Sequence, residues 1–138
     1  MSDLEIRAIG DDDVEAVAAL WKTCNLTVSY NDPHEDIQRC RRSPASELFV
    51  GIREGRVVAT VMAGEEGHRG WLYYVAVDPA EQKHGHGRAM IHHAEMWLMS
   101  RGMPKVMLMI RDTNVAVEAF YHRLGYRTIP RLVLQKVL

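Results

Sequence analysis

The sequence predicts one α/β domain built on a mixed β-sheet whose middle is covered by helices. Three observations lead there. Apolar alternation and helical periodicity interleave along the 138 residues in the order β-α-α-β-β-β-α-β-α-β. An apolar run from Trp71 to Val77 enters a two-glycine loop, and a helical pattern opens directly after it. Each of the last two helical patterns is followed by a glycine, Gly102 or Gly125, the usual stop signal.

Taken in order, Leu4 to Ile9 alternates as an opening strand, with Leu4, Ile6 and Ala8 on one face. Asp11 to Asp13 offer N-caps for a helix from Val14 to Cys24, where Val14, Val17, Ala18 and Trp21 make one apolar stripe. Asn25 to Ser43 is the most polar segment; Asn31-Asp32-Pro33 marks a turn and Glu35 to Arg41 a short helix. Leu48 to Ile52 and Val57 to Ala63 form a hairpin across Glu54-Gly55. Glu65 to Gly70 is a loop, and Trp71 to Val77 a strand that Asp78-Pro79 stops. Gly87 to Arg101 is a helix, Val106 to Ile110 a strand, Val115 to Leu124 a helix and Leu132 to Leu138 a final strand. No linker, repeat or low-complexity tract intervenes, so residues 1–138 read as a single domain.

Bulk properties narrow the function. Hydrophobic residues at 47% and charged residues at 25% are those of an ordinary globular protein. A net charge of −1 supplies no basic field for nucleic acid or a membrane surface. No apolar stretch reaches the roughly 20 residues of a membrane span. The start, Met1-Ser2-Asp3-Leu4-Glu5, lacks the apolar core of a signal peptide. Cys24 and Cys40 match no metal or redox spacing and read as reduced thiols. A cytoplasmic protein is the expectation.

Gln82-Lys83-His84-Gly85-His86-Gly87 joins the apolar strand to the helix that begins at Arg88-Ala89-Met90-Ile91. Glycines there let backbone N–H groups converge, and a helix start adds partial positive charge, which suits a pyrophosphate. A glycine turn between strand and helix also arises for steric reasons alone. The loop is neither a Walker loop, lacking Gly-Lys-Ser/Thr, nor a three-glycine dinucleotide fingerprint.

A second motif follows: Asn114-Val115-Ala116-Val117-Glu118-Ala119-Phe120-Tyr121, then Leu124-Gly125-Tyr126. Together the two motifs resemble the signatures of the GCN5-related N-acetyltransferase (GNAT) superfamily, in the right order and on the right elements. Asn31-Asp32-Pro33, Gly67-His68-Arg69-Gly70 and Tyr73-Tyr74 are similar to YpeA-type bacterial acetyltransferases within it. Read without the resemblance, the second motif is an amphipathic core helix with a glycine cap. That explains Phe120 and Leu124 but gives no reason for Asn114 and Tyr121.

The resemblance implies acetyl-coenzyme A as acetyl donor and an amine as acceptor. Its pantetheine arm would lie between the splayed strands Trp71–Val77 and Val106–Ile110, pairing with the backbone of Val75, Ala76 and Val77. Amides from Gln82, Lys83, His84, Gly85, His86, Gly87 and Arg88 would take the pyrophosphate. Lys83 and Arg88 could add charge there or simply be solvated. Asn114 would meet the pantetheine arm. One departure is His86, where the resemblance implies an inward-packing aliphatic residue. His92 and His93 are adjacent on a helix and diverge by about 100°. With no Cys or carboxylate completing a ligand set, no metal is expected.

Amine acetylation faces a protonation barrier. Removing a proton from a lysine-like amine at pH 7 costs about 4.6 kcal/mol, and from an α-amine near pKa 8 about 1.4 kcal/mol. A proton acceptor and a donor for the departing thiolate are therefore needed. The resemblance makes Tyr121 the donor; its other reading is a core tyrosine. The carboxylates many relatives use as base are replaced here by Tyr74 and Met109. That leaves Glu65, Glu66 and His68 on the loop before the fourth strand, or water relayed by backbone carbonyls. Tyr30, Asn31, Asp32, His34, Glu35 and Asp36, with Glu65 and Glu66, make an acidic surround that either favours a cationic amine or is simply a solvated charged loop. A catalytically idle coenzyme-A-binding or interaction module on the same scaffold is the alternative. The final strand could pair across a homodimer.

Overall fold

The computed structural model describes residues 3–138; Met1 and Ser2, part of the acidic start noted above, lie outside the described residues. The strands are β1 (Glu5–Ala8), β2 (Ser46–Arg53), β3 (Arg56–Glu65), β4 (Gly70–Val77) and β5 (Val106–Leu108). The helices are α1 (Val14–Thr23), α2 (Pro33–Arg42), α3 (His86–Ser100) and α4 (Val115–Arg123). Single 3-10 turns at Asp11–Asp13 and Pro79–Glu81 precede α1 and α3. The strands form one sheet in chain order, β1-β2-β3-β4-β5, antiparallel except for the parallel pair β4–β5.

Alternation along the strands divides the core in two. Phe49, Ala59, Val61, Ala63 and Leu72 face α3 and α4, where they meet Met90, Ile91, Ala94, Leu98 and Tyr121. The interleaved Leu48, Val50 and Ala76 face α1 and α2, meeting Val17, Leu20, Trp21, Ile37 and Cys40. A one-residue slip would exchange the two sets, so burial fixes the register. Gly70 opens β4 because nothing larger fits: a Cβ there would lie 2.6 Å from Leu98 Cδ1.

The expected final strand does not form. Residues 127–138 adopt neither helix nor strand, and Leu132 and Leu134 are 91% and 90% exposed. Their alternating apolar pattern has strand propensity, but propensity without a neighbouring strand leaves backbone groups to water. The fifth strand is also shorter than expected, ending at Leu108 rather than Ile110.

Candidate active site

The parallel pair β4–β5 runs only from Gly70↔Val106 to Leu72↔Leu108. Just beyond it, β4 carries an extra residue relative to β3: Thr60 faces Ala76, but Met62 already faces Tyr73. Tyr74, in that bulge, has φ +50°, a conformation that costs a non-glycine residue about 1–3 kcal/mol. A bulge bends its strand and re-aims its groups. The two strands therefore part at Tyr73, leaving the main chain of Val75 and Val77 without a strand on the β5 side.

Buried polar contacts hold the bulge in place. Trp21 Nε1 donates to Thr60 Oγ1 at 2.9 Å, and Thr60 Oγ1 donates to the Tyr74 carbonyl at 2.8 Å. Tyr74 Oη donates to Asp36 Oδ2 at 2.6 Å, tying β4 to α2. Burial first, then Asp36, pushes the Tyr74 phenol far above its ordinary value. It stays protonated at neutral pH, so it cannot replace a carboxylate base.

Downstream of β4 the chain turns tightly. Asp78 caps the 3-10 turn by accepting from the Ala80 N–H at 2.9 Å. Lys83 and Gly85 then take φ of +69° and +81°. Gly85 is the N-cap of α3, and neither a side-chain cap nor an acidic residue occupies the first turn. The amides at the start of α3 thus have the chemistry of an anion site. The helix charge alone contributes about 0.3–1 kcal/mol at an exposed site, so convergent amide hydrogen bonds must supply the larger share. Gly87 allows a close approach: a Cβ there would sit 3.3 Å from Phe120 Cζ and 3.6 Å from Val77 Cγ2. This glycine brings the α3 start, the end of β4 and α4 to one point.

α4 brings Phe120 to that junction, and Tyr121 lies next to it in the core against which Val75 and Val77 pack. The Tyr121 ring is 6% exposed and meets Phe120 and Tyr126 edge-on, with centroids 5.2 Å and 5.5 Å away. Tyr126 Oη is engaged by Glu95 at 2.6 Å, whereas Tyr121 Oη has no hydrogen-bond partner among the described residues. Burial pushes the Tyr121 phenol up to about 12. Asn114 caps α4, accepting from the Val117 N–H at 3.3 Å, which gives this residue a structural reason the motif alone did not.

Val75, Ala76, Val77, the loop Gln82–Arg88 and Tyr121 are thus brought to one end of β4. Glu65, Glu66 and His68 lie at its other end, before Gly70. Glu65 pairs with Arg101 at 2.9 Å and accepts from the Gly67 N–H. Glu66 accepts from the N–H groups of Arg69 and His68 and from Trp71 Nε1, bonds that hold its carboxyl below the usual range. The His68 ring meets the Arg69 guanidinium. Among the described residues no three metal-ligating side chains come together. Sequence reasoning missed the Trp21–Thr60–Tyr74 chain, because Trp21 reads simply as part of an apolar stripe.

Residues 14–126 match the model of the acetyltransferase (GNAT) family. An acetyltransferase of Pectobacterium atrosepticum is 40% identical over 135 residues, covering 98% of this chain and 96% of that protein. The chain belongs to the GNAT family. A Yersinia pestis acetyltransferase is 38% identical over the same shares of both chains. Among solved structures, AAC(6')-Iy in complex with the bisubstrate analogue CoA-S-monomethyl-acetylneamine superposes with a TM-score of 0.85. It is 16% identical, covers 99% of both chains, and supports the fold alone. A Trypanosoma brucei acetyltransferase superposes at 0.76 with 24% identity, covering 98% of this chain and all of that one. This GNAT protein is an acetyl-CoA-dependent N-acetyltransferase. No described helix is long and apolar enough to cross a membrane.

Proposed function

We propose that the whole chain acts as one cytoplasmic catalytic domain that acetylates a cationic amine by direct attack on the thioester, with Tyr121 as proton donor. The observation that carries this is the convergence, at the point where β4 leaves β5, of an uncapped helix start and a core tyrosine whose hydroxyl makes no hydrogen bond among the described residues. Amides of Gln82 to Arg88 hold the diphosphate, Lys83 and Arg88 add charge, and the backbone of Val75 to Val77 pairs with the pantetheine arm, near Asn114. Acetyl-CoA supplies an activated acyl group. Tyr121 retains its proton at neutral pH and delivers it to sulfur as the thiolate departs.

Glu65, Glu66 and His68 support the loop before β4, and the Glu95 carboxylate is taken up by Tyr126 Oη. We assign removal of the amine proton to water relayed along the carbonyls of the parted strand. The acceptor enters over the segment between α1 and α2, where Tyr30 is 74% exposed and Asp32, Glu35 and Asp36 open α2. An aminoglycoside acetyltransferase of the same fold, solved in complex with sisomicin, supports such an acceptor. The exposed apolar segment from Leu132 to Leu138 supports a homodimer in which it pairs with a second copy.

Free-thiol release should be measured with acetyl-CoA against polyamines, aminoglycosides, amino acids and peptides. Turnover with cationic amines supports the reading. A clear preference for an anionic acceptor would overturn the electrostatic part, and cofactor binding without turnover on any amine the catalytic part.

A further inference from the structure

His86 is the first residue of α3 and lies inside the diphosphate loop, yet its ring is 2% exposed and aimed inward. Both ring nitrogens are buried without a hydrogen-bond partner, and no other described side chain leaves polar atoms in that state. A buried donor or acceptor without a partner costs about 1–3 kcal/mol, so it calls for a compensating role. A carboxylate stands close by: Glu81 Oε1 is 3.5 Å from His86 Nε2. Glu81 is itself buried and is held by Arg53 Nη1 from the end of β2 at 3.1 Å. The His84 ring stacks nearby, its centroid 5.8 Å away and its plane 30° from that of His86. These are the titratable and charged groups that face His86 from the 3-10 turn, the sheet and the loop.

The charges in this cluster are informative. With a neutral imidazole, Arg53 and Glu81 cancel and the base of the loop is uncharged. With an imidazolium it carries one positive charge, directly beneath amides suited to a diphosphate. An imidazolium also turns the 3.5 Å approach to Glu81 into an ion pair, which gives Nε2 a partner. We propose that His86 is a proton-linked positioning residue: occupation of the loop by a diphosphate draws a proton from solvent onto His86, locking it to Glu81 and fixing the first turn of α3. By linkage, cofactor binding and proton uptake reinforce each other, and affinity falls as pH rises.

This inference rests on the assignment of the loop to the diphosphate, and its test separates the two. Dephospho-CoA is the probe, because it lacks the 3′-phosphate whose own titration would obscure the count. Its binding to the full chain is followed by calorimetry at pH 7 in buffers of different ionisation enthalpy, and its affinity is measured from pH 6 to 8. The unaltered protein should take up a measurable fraction of one proton and lose about three- to tenfold in affinity over that range. His86→Gln, which retains an amide for Glu81 but cannot titrate, should take up less and bind with a flatter pH profile. His86→Leu should behave alike. His84→Gln should keep the uptake. Equal proton uptake in the unaltered protein and both folded His86 variants would overturn the proposal while leaving the loop assignment standing. Absence of dephospho-CoA binding to the unaltered protein would overturn both.

Discussion

Tyr74 lies stacked on Trp21, ring centroids 3.7 Å apart and planes 10° from parallel, while its hydroxyl reaches across to Asp36. One residue thereby joins α1, α2 and the bulge in β4. The strain of its positive φ persists because these contacts outweigh it. Replacing Tyr74 with Phe removes only the hydrogen bond to a carboxylate and keeps the stacking. The expected loss is about 1–2 kcal/mol in unfolding free energy, read by urea denaturation. Tyr74 holds its proton at neutral pH, so the acid limb of the kcat profile should survive in that variant. Its disappearance would return Tyr74 to the chemistry.

The unpartnered hydroxyl of Tyr121 gives the sharpest catalytic prediction. Tyr121→Phe should lower turnover at least about tenfold, a loss of about 1.4 kcal/mol in barrier, with cofactor affinity unchanged within about twofold. Near-normal turnover would reduce Tyr121 to a packing residue. The phenol is raised by burial to about 12. The folded state therefore disfavours its ionisation, and the associated stability is present below the free value near 10. That part is lost as pH climbs from there through about 12, so Tyr121→Phe should unfold less steeply in alkali.

Much of this was legible in the chain before any coordinates. The four helices and five strands follow from periodicity, and Gly102 and Gly125 close their helices as glycines after a last turn do. The loop and α4 motifs pointed to the end of β4 where we propose that the cofactor binds. What remained hidden depends on neighbours far away in sequence. Nothing in Leu132–Leu138 says whether a partner strand lies alongside, and among the described residues none does. The bulge at Tyr74 is likewise set by Thr60 and Trp21, 14 and 39 residues removed from their hydrogen-bond partners. Glu65 and Glu66 read as free carboxylates by type, and only the fold shows them holding Arg101 and the loop amides.

Two glycines at opposite ends of β4 should fail in different ways. At Gly70 an added methyl group would meet Leu98 at 2.6 Å, so Gly70→Ala overpacks the core and should cost about 1–3 kcal/mol. Cofactor affinity of the fraction that remains folded should hold. At Gly85 a Cβ meets nothing within 4 Å, but φ is +81°. Gly85→Ala should cost only about 1–2 kcal/mol of backbone strain. Relief of that strain re-aims the amides, so coenzyme A affinity should drop about tenfold or more. Equal affinities in the two variants would show that the loop does not hold the diphosphate.

Asp13 governs the acid limb of stability. It accepts from Arg7 Nη1 at 2.6 Å, Arg7 Nη2 at 3.2 Å and the Gly10 N–H at 2.8 Å, which ties β1 to the start of α1. The Arg7 hydrogen bond chiefly, against the opposing effect of burial, holds its carboxyl below the usual aspartate value. A depressed folded value means stability that is present above the unfolded value near 3.9 and lost as pH falls through the lower folded one. Because Arg7 is half exposed, solvent screens the pair and its contribution is modest. Asp13→Asn should therefore be measurably less stable than the unaltered protein at pH 7. The gap should close as denaturation curves are taken down toward pH 2, where the aspartate too is neutral. A gap that stays constant with pH would show that packing around the side chain, rather than its charge, accounts for the loss.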